Sequence, residues 1–255
     1  MNGFIAEIWR YPVKGHGREK LERVQLTKGE CIPWDRRWAV LHEAAVFDDA
    51  KPEWKPCTSF SRASKAPLLQ AVTARSDIVR HRIAFSHPRL DDLTVDPDDR
   101  RDADRFINWV QPLSPADRAR PERLVQVPGR GMTDTDYPSV SVINLASHAE
   151  VSRKVSREIS HLRWRGNIVL DGLNPWEETR WPGRRLVAGQ TELEIVEPTV
   201  RCMATAASVR TGLRDADVLG ALQAGWAHRR MGVYARVTRT GELRCGDRIG
   251  LTDAD

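Results

Sequence analysis

Short alternating stretches dominate the first hundred residues. "FIAEIWRYPV" (4–13) mixes apolar and polar positions and ends at a proline, and "ERVQLTKGECI" (22–32) alternates around a Lys-Gly turn. "RRWAVLHE" (36–43), "LLQAVTARS" (68–76), "HRIAFSHP" (81–88) and "DDLTVDP" (91–97) follow. Period-two alternation places successive side chains on opposite faces of a strand, and the Pro, Gly and Asp between the runs supply turns. This spacing predicts an all-β barrel or sandwich. The period changes in "DADRFINWVQPL" (102–113), where Phe106, Ile107 and Val110 share one helix face and Pro112 follows them.

Residues 112–138 are rich in Pro, Arg, Asp and Gly and read as a connection between two parts, 1–115 and 116–255. Beyond it, the strand "SVSVINL" (139–145) passes into "SHAEVSRKVSREI" (147–159), where Ser147 and Glu150 fit a capping box opening a helix over 147–160. "GNIVLDG" (166–172) reads as a buried strand and "RLVAGQTELEIVEP" (185–198) as a hairpin around Gly189-Gln190. "DADVLGALQAGW" (215–226) reads as a short helix with Val218, Leu219 and Leu222 on one face. "GVYARVTRTGELRCGDRIGL" (232–251) reads as a hairpin turning at Thr240-Gly241. The expectation is a mostly β fold with a few helices. No run alternates as βαβ, and no GxGxxG or GxxxxGK[ST] occurs, so dinucleotide-binding and P-loop readings fail.

Composition narrows the function classes. A chain of 255 residues with 40% apolar and 29% charged residues can bury a real core. No apolar run approaches the roughly 18 residues of a membrane span, and "MNGFIAEIWRYPVKG" lacks the pattern of a signal peptide. A cytoplasmic, reducing location is the expectation. Net charge is +5. The cations are mostly Arg and are interspersed with Asp, as in "DPDDRRDADR" (96–105). That pattern is a salt-bridged, solvated face rather than a nucleic-acid stripe. The cysteines are Cys31, Cys57, Cys202 and Cys245; none forms a CxxC or a Cys/His pair with zinc spacing.

Several short motifs carry candidate chemistry. "YPVKG" (11–15) presents Lys14 beside Gly15 at a strand end, a point charge next to a residue that lets backbone N–H groups approach an anion. In "PWDRRWAV" (33–40), Arg36 and Arg37 open a strand and point to opposite faces; an exposed ion pair with Asp35 is the simple alternative. In "RWRGNIV" (163–169), Arg165 and Asn167 sit two apart and share a face, fit to grip a planar polar ligand or a phosphate, or only to close an edge strand. Cys202 in "IVEPTVRCMATA" (195–206) stands alone. It can be a buried space-filler, a nucleophile with a histidine near in space, or a metal ligand. A single thiolate is too few for zinc, but it suffices where a cofactor brings the other ligands.

These stretches together resemble MOSC-domain proteins, the group containing the C-terminal domain of molybdenum-cofactor sulfurases and the mitochondrial amidoxime-reducing component. "IWRYPVKG" with "LERVQLTKGECIPWDRRWAV" resembles the opening of the family's N-terminal β-barrel, and "SVSVINLAS", "WRGNIVLDG", "RCMAT", "MGVYARV" and "GELRCGDRI" resemble the MOSC core in its order. The resemblance implies a β-barrel MOSC fold with an N-terminal β-barrel-like subdomain and a pyranopterin molybdenum cofactor. By that match, Cys202 gives the metal a third sulfur beside the two of the dithiolene, Lys14, Gly15 and Arg36 meet the cofactor phosphate, Arg165 and Asn167 hold the pterin side, and Thr205 lies near Cys202. The implied activity is reduction of N-hydroxylated or S-oxide small molecules, with electrons from a separate donor protein of ferredoxin or cytochrome b5 type. The implied alternative is a sulfur or cofactor carrier that delivers to an acceptor molybdoenzyme through a Cys202 persulfide. No PLP-type desulfurase segment and no cysteine-rich ferredoxin segment is present in the sequence. Three positions depart from the pattern: Gly15 where a hydroxyl residue is frequent, Gly166 where Pro is common, and Ser208 where the reductase branch is acidic. Cys245 reads as packing.

Overall fold

A computed structural model of the chain describes residues 2–253. β1 (Phe4–Arg10) stops before Pro12, which has no N–H to offer a ladder, and β2 (Val13–Lys14) resumes for two residues. β3 (Glu19–Leu21), β4 (Arg23–Leu26) and β5 (Trp38–His42) follow. β6 (Thr73–Asp77), β7 (Arg82–His87) and β8 (Leu90–Val95) form a three-stranded antiparallel sheet. α1 (Arg100–Val110) is capped by the Asp99 carboxylate, which accepts the Asp102 amide at 3.0 Å. It buries Phe106, Ile107 and Val110 in one core with Phe85, Trp38 and Val40. β9 (Pro121–Gln126) then pairs antiparallel with β5.

The second half adds β10 (Val140–Asn144), α2 (Leu145–Val155), β11 (Ile168–Asp171), β12 (Arg184–Ala188), β13 (Thr191–Val200) and α3 (Val218–Trp226). β14 (Arg230–Arg239), β15 (Gly241–Arg244) and β16 (Ile249–Asp253) end the series. The largest sheet has the order β16-β12-β13-β14-β10-β11-β1-β3. It curls until its far side meets β1: the Ile249 amide donates to Gly3 O at 3.0 Å, Gly246 to Ile5 O at 2.7 Å, and Ile5 to Asp247 O at 2.9 Å. Ile8, Val142, Ile168, Leu193 and Val233 fill the interior without exposure. Each contributes about 1.5–3 kcal/mol of apolar burial. The mostly β, barrel-based architecture expected from the alternation is therefore present. Its two halves are interleaved, since β1 and β3 complete the large sheet and β4 pairs with β15.

Some elements differ from the pattern-based expectation. The 68–76 run begins as a 3-10 turn, Pro67–Ala71, because Pro67 presets a helical φ; only Thr73 onward is strand. The 22–32 run leaves the ladder after Leu26 and turns at Lys28-Gly29. The stretch expected as a plain connection, 112–138, contains β9; its prolines and arginines hid a strand that buries Pro121 and Val125. The helix expected over 147–160 runs from Leu145 to Val155. Its cap is Asn144, whose side chain accepts the Ala146 amide at 3.0 Å. Ser147 lies inside the first turn and donates to Glu178 at 2.8 Å, so no Ser147–Glu150 box forms. β14 and β15 meet at Thr240 without forming a hairpin, because β13 and β10 already occupy both edges of β14. The Gly189-Gln190 hairpin between β12 and β13 is as expected. Among the described residues no helix is long and apolar enough to cross a membrane.

Candidate cofactor cavity

A cavity of about 500 Å³ opens where the large sheet meets the N-terminal strands. Lys14, Gly15, Arg36, Arg165, Asn167, Cys202 and Thr205 all line it, although 191 positions separate the first from the last. Lys14 ends β2, held parallel to β5 with Lys14 opposite Ala39. Its ammonium donates to Met132 O at 2.7 Å and to Asp134 at 2.5 Å. Gly15 has φ +77°, and a Cβ there would stand 2.9 Å from Ser61 O. The missing hydroxyl side chain at this position thus follows from the backbone.

The two motif arginines do not stand on strands. Arg36 (φ 50°) and Arg165 (φ 52°) both adopt the left-handed conformation. Such residues cost on the order of 1 kcal/mol and concentrate at functional sites. Arg36 is tied by its amide to Tyr11 O and by its carbonyl to the Met132 amide, both at 2.7 Å. Arg165 closes the 3-10 turn His161–Trp164. Tyr11 separates the pair, with the Arg36 and Arg165 guanidinium carbons 4.8 and 4.4 Å from its ring centre. The Arg36 guanidinium meets the buried Asp35 carboxylate and donates to Arg165 O at 2.9 Å. The simple alternative of an exposed Asp35–Arg36 pair is therefore corrected: the pair forms, but inside the protein. Burial, only partly offset by Tyr11, lowers Arg165 to about 10. Burial also pushes the Tyr11 phenol up to about 12.

Asn167 reaches the wall from the entry to β11, and both ends of its amide have protein partners. Its Oδ1 accepts from the Ser141 amide (3.1 Å), the Ser141 hydroxyl (2.9 Å) and Arg36 (3.3 Å), while Nδ2 donates to Trp9 O at 3.1 Å. It knits β1, β10 and Arg36 together. Gly166 beside it leaves no room for a side chain, since a Cβ would lie 2.2 Å from Ile143 Cγ1.

Cys202 follows the end of β13 and caps the 3-10 turn Met203–Ala206. Its thiol is free and exposed into the cavity. Thr205 secures this turn by donating to Cys202 O at 3.0 Å. Arg201 is anchored on backbone alone, to Met231 O and Trp164 O at 2.7 Å, and burial lowers its pKa.

Pattern reading did not assign Arg62, Lys65, Arg163, Arg201, Asp134, Thr199 or Tyr234, which also line the cavity. Arg201 and Tyr234 lie inside motifs that were visible, "RCMAT" and "MGVYARV" being their neighbourhoods. Among these lining residues the cations far outnumber the one carboxylate, Asp134. Burial works against the charge of Asp134, but the Lys14 ammonium, then Arg36 and Arg165, outweighs it and holds the carboxyl at about 2. Two buried polar atoms of the wall, Arg163 Nε and Thr199 Oγ1, have no partner. Unpaired buried groups of this kind point to a missing polar partner. Among the described residues no cluster of three or more His, Cys, Asp or Glu could hold a metal. A metal bound at Cys202 would take its remaining ligands from a cofactor. An exposed thiol, an excess of cations and unpaired donors around a roomy cavity fit an anionic, metal-carrying cofactor.

Residues 2–122 match the MOSC N-terminal beta barrel domain and residues 132–250 match the MOSC domain. The mouse mitochondrial amidoxime-reducing component 1 is 22% identical over 238 residues, 84% of this chain and 68% of that protein. The bovine mitochondrial amidoxime reducing component 2 is 21% identical over 284 residues, 97% of this chain and 82% of that protein. The crystal structure of the YuaD protein from Bacillus subtilis shares the fold, with TM-score 0.51, 11% identity, and coverage of 100% of this chain and 98% of that one. With both domains matched in sequence order, this chain belongs to the MOSC-domain family.

Proposed function

We propose that this protein holds a pyranopterin molybdenum cofactor in the cavity and reduces N-hydroxylated or S-oxide small molecules. The carrying observation is the exposed Cys202 thiol in a cavity walled by Lys14, Arg36 and Arg165. In this reading Lys14 and Arg36, with the Gly15 backbone, meet the phosphate, and Arg165 faces the pterin. Asn167 and Thr205 act by position, since their polar atoms brace Arg36 and the Cys202 turn. When bound, the cofactor supplies the two-electron redox chemistry; the protein binds, orients and ligates through Cys202. Conversion of an amidoxime to an amidine breaks the N–O bond, takes up two electrons and two protons, and releases water. The electrons come from a separate donor protein, of ferredoxin or cytochrome b5 type. The free cysteines suit a reducing, cytoplasmic setting. The test is molybdenum and pterin content of protein made in cells that synthesise the cofactor, followed by amidoxime reduction with an artificial electron donor. Near-stoichiometric metal with turnover is expected; absence of both metal and pterin defeats the reading.

The exposure of Cys202 also supports a second reading, delivery of sulfur or cofactor to another molybdoenzyme through a Cys202 persulfide. A mass increase of roughly 32 Da on Cys202, one sulfur atom, with no reduction under any donor, would favour it.

A further inference from the structure

Most polar groups in the cavity wall already have partners inside the protein. Ser141 and Asn167 bond each other, Thr205 bonds Cys202 O, and Lys14 bonds Asp134. Arg163 Nε has no such partner, and neither do the Thr199 and Tyr234 hydroxyls. Thr199 and Tyr234 stand on adjacent antiparallel strands, β13 and β14, where Glu197 faces Tyr234 and Pro198 faces Val233. Both line the cavity together with Cys202. Thr199 is 1% exposed, and its hydroxyl has no partner. Leaving such a group unpaired costs about 1–3 kcal/mol. The Tyr234 hydroxyl likewise takes part in no hydrogen bond among the described residues. On the open side, Val200 is 71% exposed and Met203 41% exposed, and both flank Cys202 in the cavity lining. Exposed apolar side chains at the mouth of a cation-lined cavity are suited to an apolar body rather than to water.

We propose that Thr199 and Tyr234 bind the oxygen that is removed, and that Val200 and Met203 hold the apolar body of the substrate. This rests on the reductase reading. The site then favours a substrate with an aliphatic or aromatic body over a small hydrophilic one. The hydroxyls donate to an oxygen that gains charge as its bond to nitrogen breaks; two electrons arrive from the donor protein, two protons come from water, and the oxygen leaves as water. Such donors contribute most when charge develops in a site shielded from solvent.

The test uses cofactor-loaded wild type, Thr199→Val, Thr199→Ser, Tyr234→Phe and Met203→Ser. Molybdenum and pterin are measured first, then calorimetric binding of an aryl amidoxime and of the matching amidine, which lacks the oxygen, and then KM and kcat. Thr199→Val and Tyr234→Phe should retain the metal, lose about tenfold in amidoxime affinity, corresponding to one hydrogen bond, and bind the amidine unchanged. Thr199→Ser should restore amidoxime binding. Met203→Ser should raise KM for the aryl amidoxime and leave that of methylhydroxylamine unaltered. Unchanged amidoxime binding in both hydroxyl variants, in a wild type that carries molybdenum and turns over, overturns this inference alone. Loss of metal in Thr199→Val overturns it by assigning the hydroxyl to the cofactor. A wild type without molybdenum overturns the reductase reading and this inference with it.

Discussion

Acidification should destabilise this protein through buried imidazoles, among them His16 next to the Lys14–Gly15 turn. His16 is wholly buried, its Nδ1 donates to Lys14 O at 2.8 Å, and its Nε2 has no partner. Protonating Nε2 would create a buried cation facing Phe106, whose ring lies 5.9 Å away. Burial accordingly lowers the imidazole from 6.5 to about 4. The unfolded chain protonates His16 near its ordinary value, so between these values it binds more protons than the folded one. Stability is intact above about 6.5 and falls as pH drops toward about 4. A displacement of this size amounts to about 3 kcal/mol in full, and to about 2 kcal/mol between about pH 7.5 and about pH 5. Burial also lowers His148 to about 4, so the wild-type slope alone does not isolate His16. His16→Asn keeps a short amide donor toward Lys14 O and does not titrate. Urea unfolding of both proteins at the two pH values should give an acid-induced loss about 2 kcal/mol smaller in the variant. Equal losses would refute the argument that His16 is held neutral by burial.

Arg36→Gln should cost about 3–5 kcal/mol in urea unfolding, because it leaves the buried Asp35 carboxylate, which also takes the Tyr11 amide at 2.8 Å, without its counter-charge. Gly166→Ala should destabilise by about 1–3 kcal/mol, since its Cβ would meet Ile143 Cγ1 at 2.2 Å, and its added cost should be smaller in an Ile143→Ala background. Glu178 accepts from Asn144 and Ser147 through one oxygen while the other is buried without a partner, and burial raises its carboxyl. A raised folded value means stability is lost as pH rises through it, so Glu178→Gln should melt no lower than wild type at neutral pH and show a flatter pH dependence in thermal scans.

The barrel was legible in the sequence because half-buried strands alternate, and the β12–β13 hairpin because Gly189-Gln190 interrupts that alternation. Strand partners were not legible. Nothing local in "GVYARVTRTGELR" says that β14 is already flanked by β13 and β10, which sends β15 to β4. The convergence of Lys14, Gly15, Arg36, Arg165, Asn167, Cys202 and Thr205 on one cavity was reached through motif order, not through periodicity. Arg36 and Arg165 reach the cavity from left-handed turns rather than from the strand faces their spacing suggests. Thr199 and Arg163 escaped because an unpaired Oγ1 or Nε is a property of packing that no spacing along the chain encodes. Asn167 is the reverse case, a group that looks like a ligand donor and is engaged by protein partners.

On the proposed reading, the cavity holds a molybdenum cofactor through Cys202. The most direct measurement is molybdenum and pterin content of the purified protein beside Cys202→Ala, both made in cells that synthesise the cofactor. Near-stoichiometric molybdenum is expected in the wild type, with its loss from the variant and the fold intact by circular dichroism. Wild-type protein without molybdenum, or a Cys202→Ala variant that retains it fully, would rule out metal binding through Cys202.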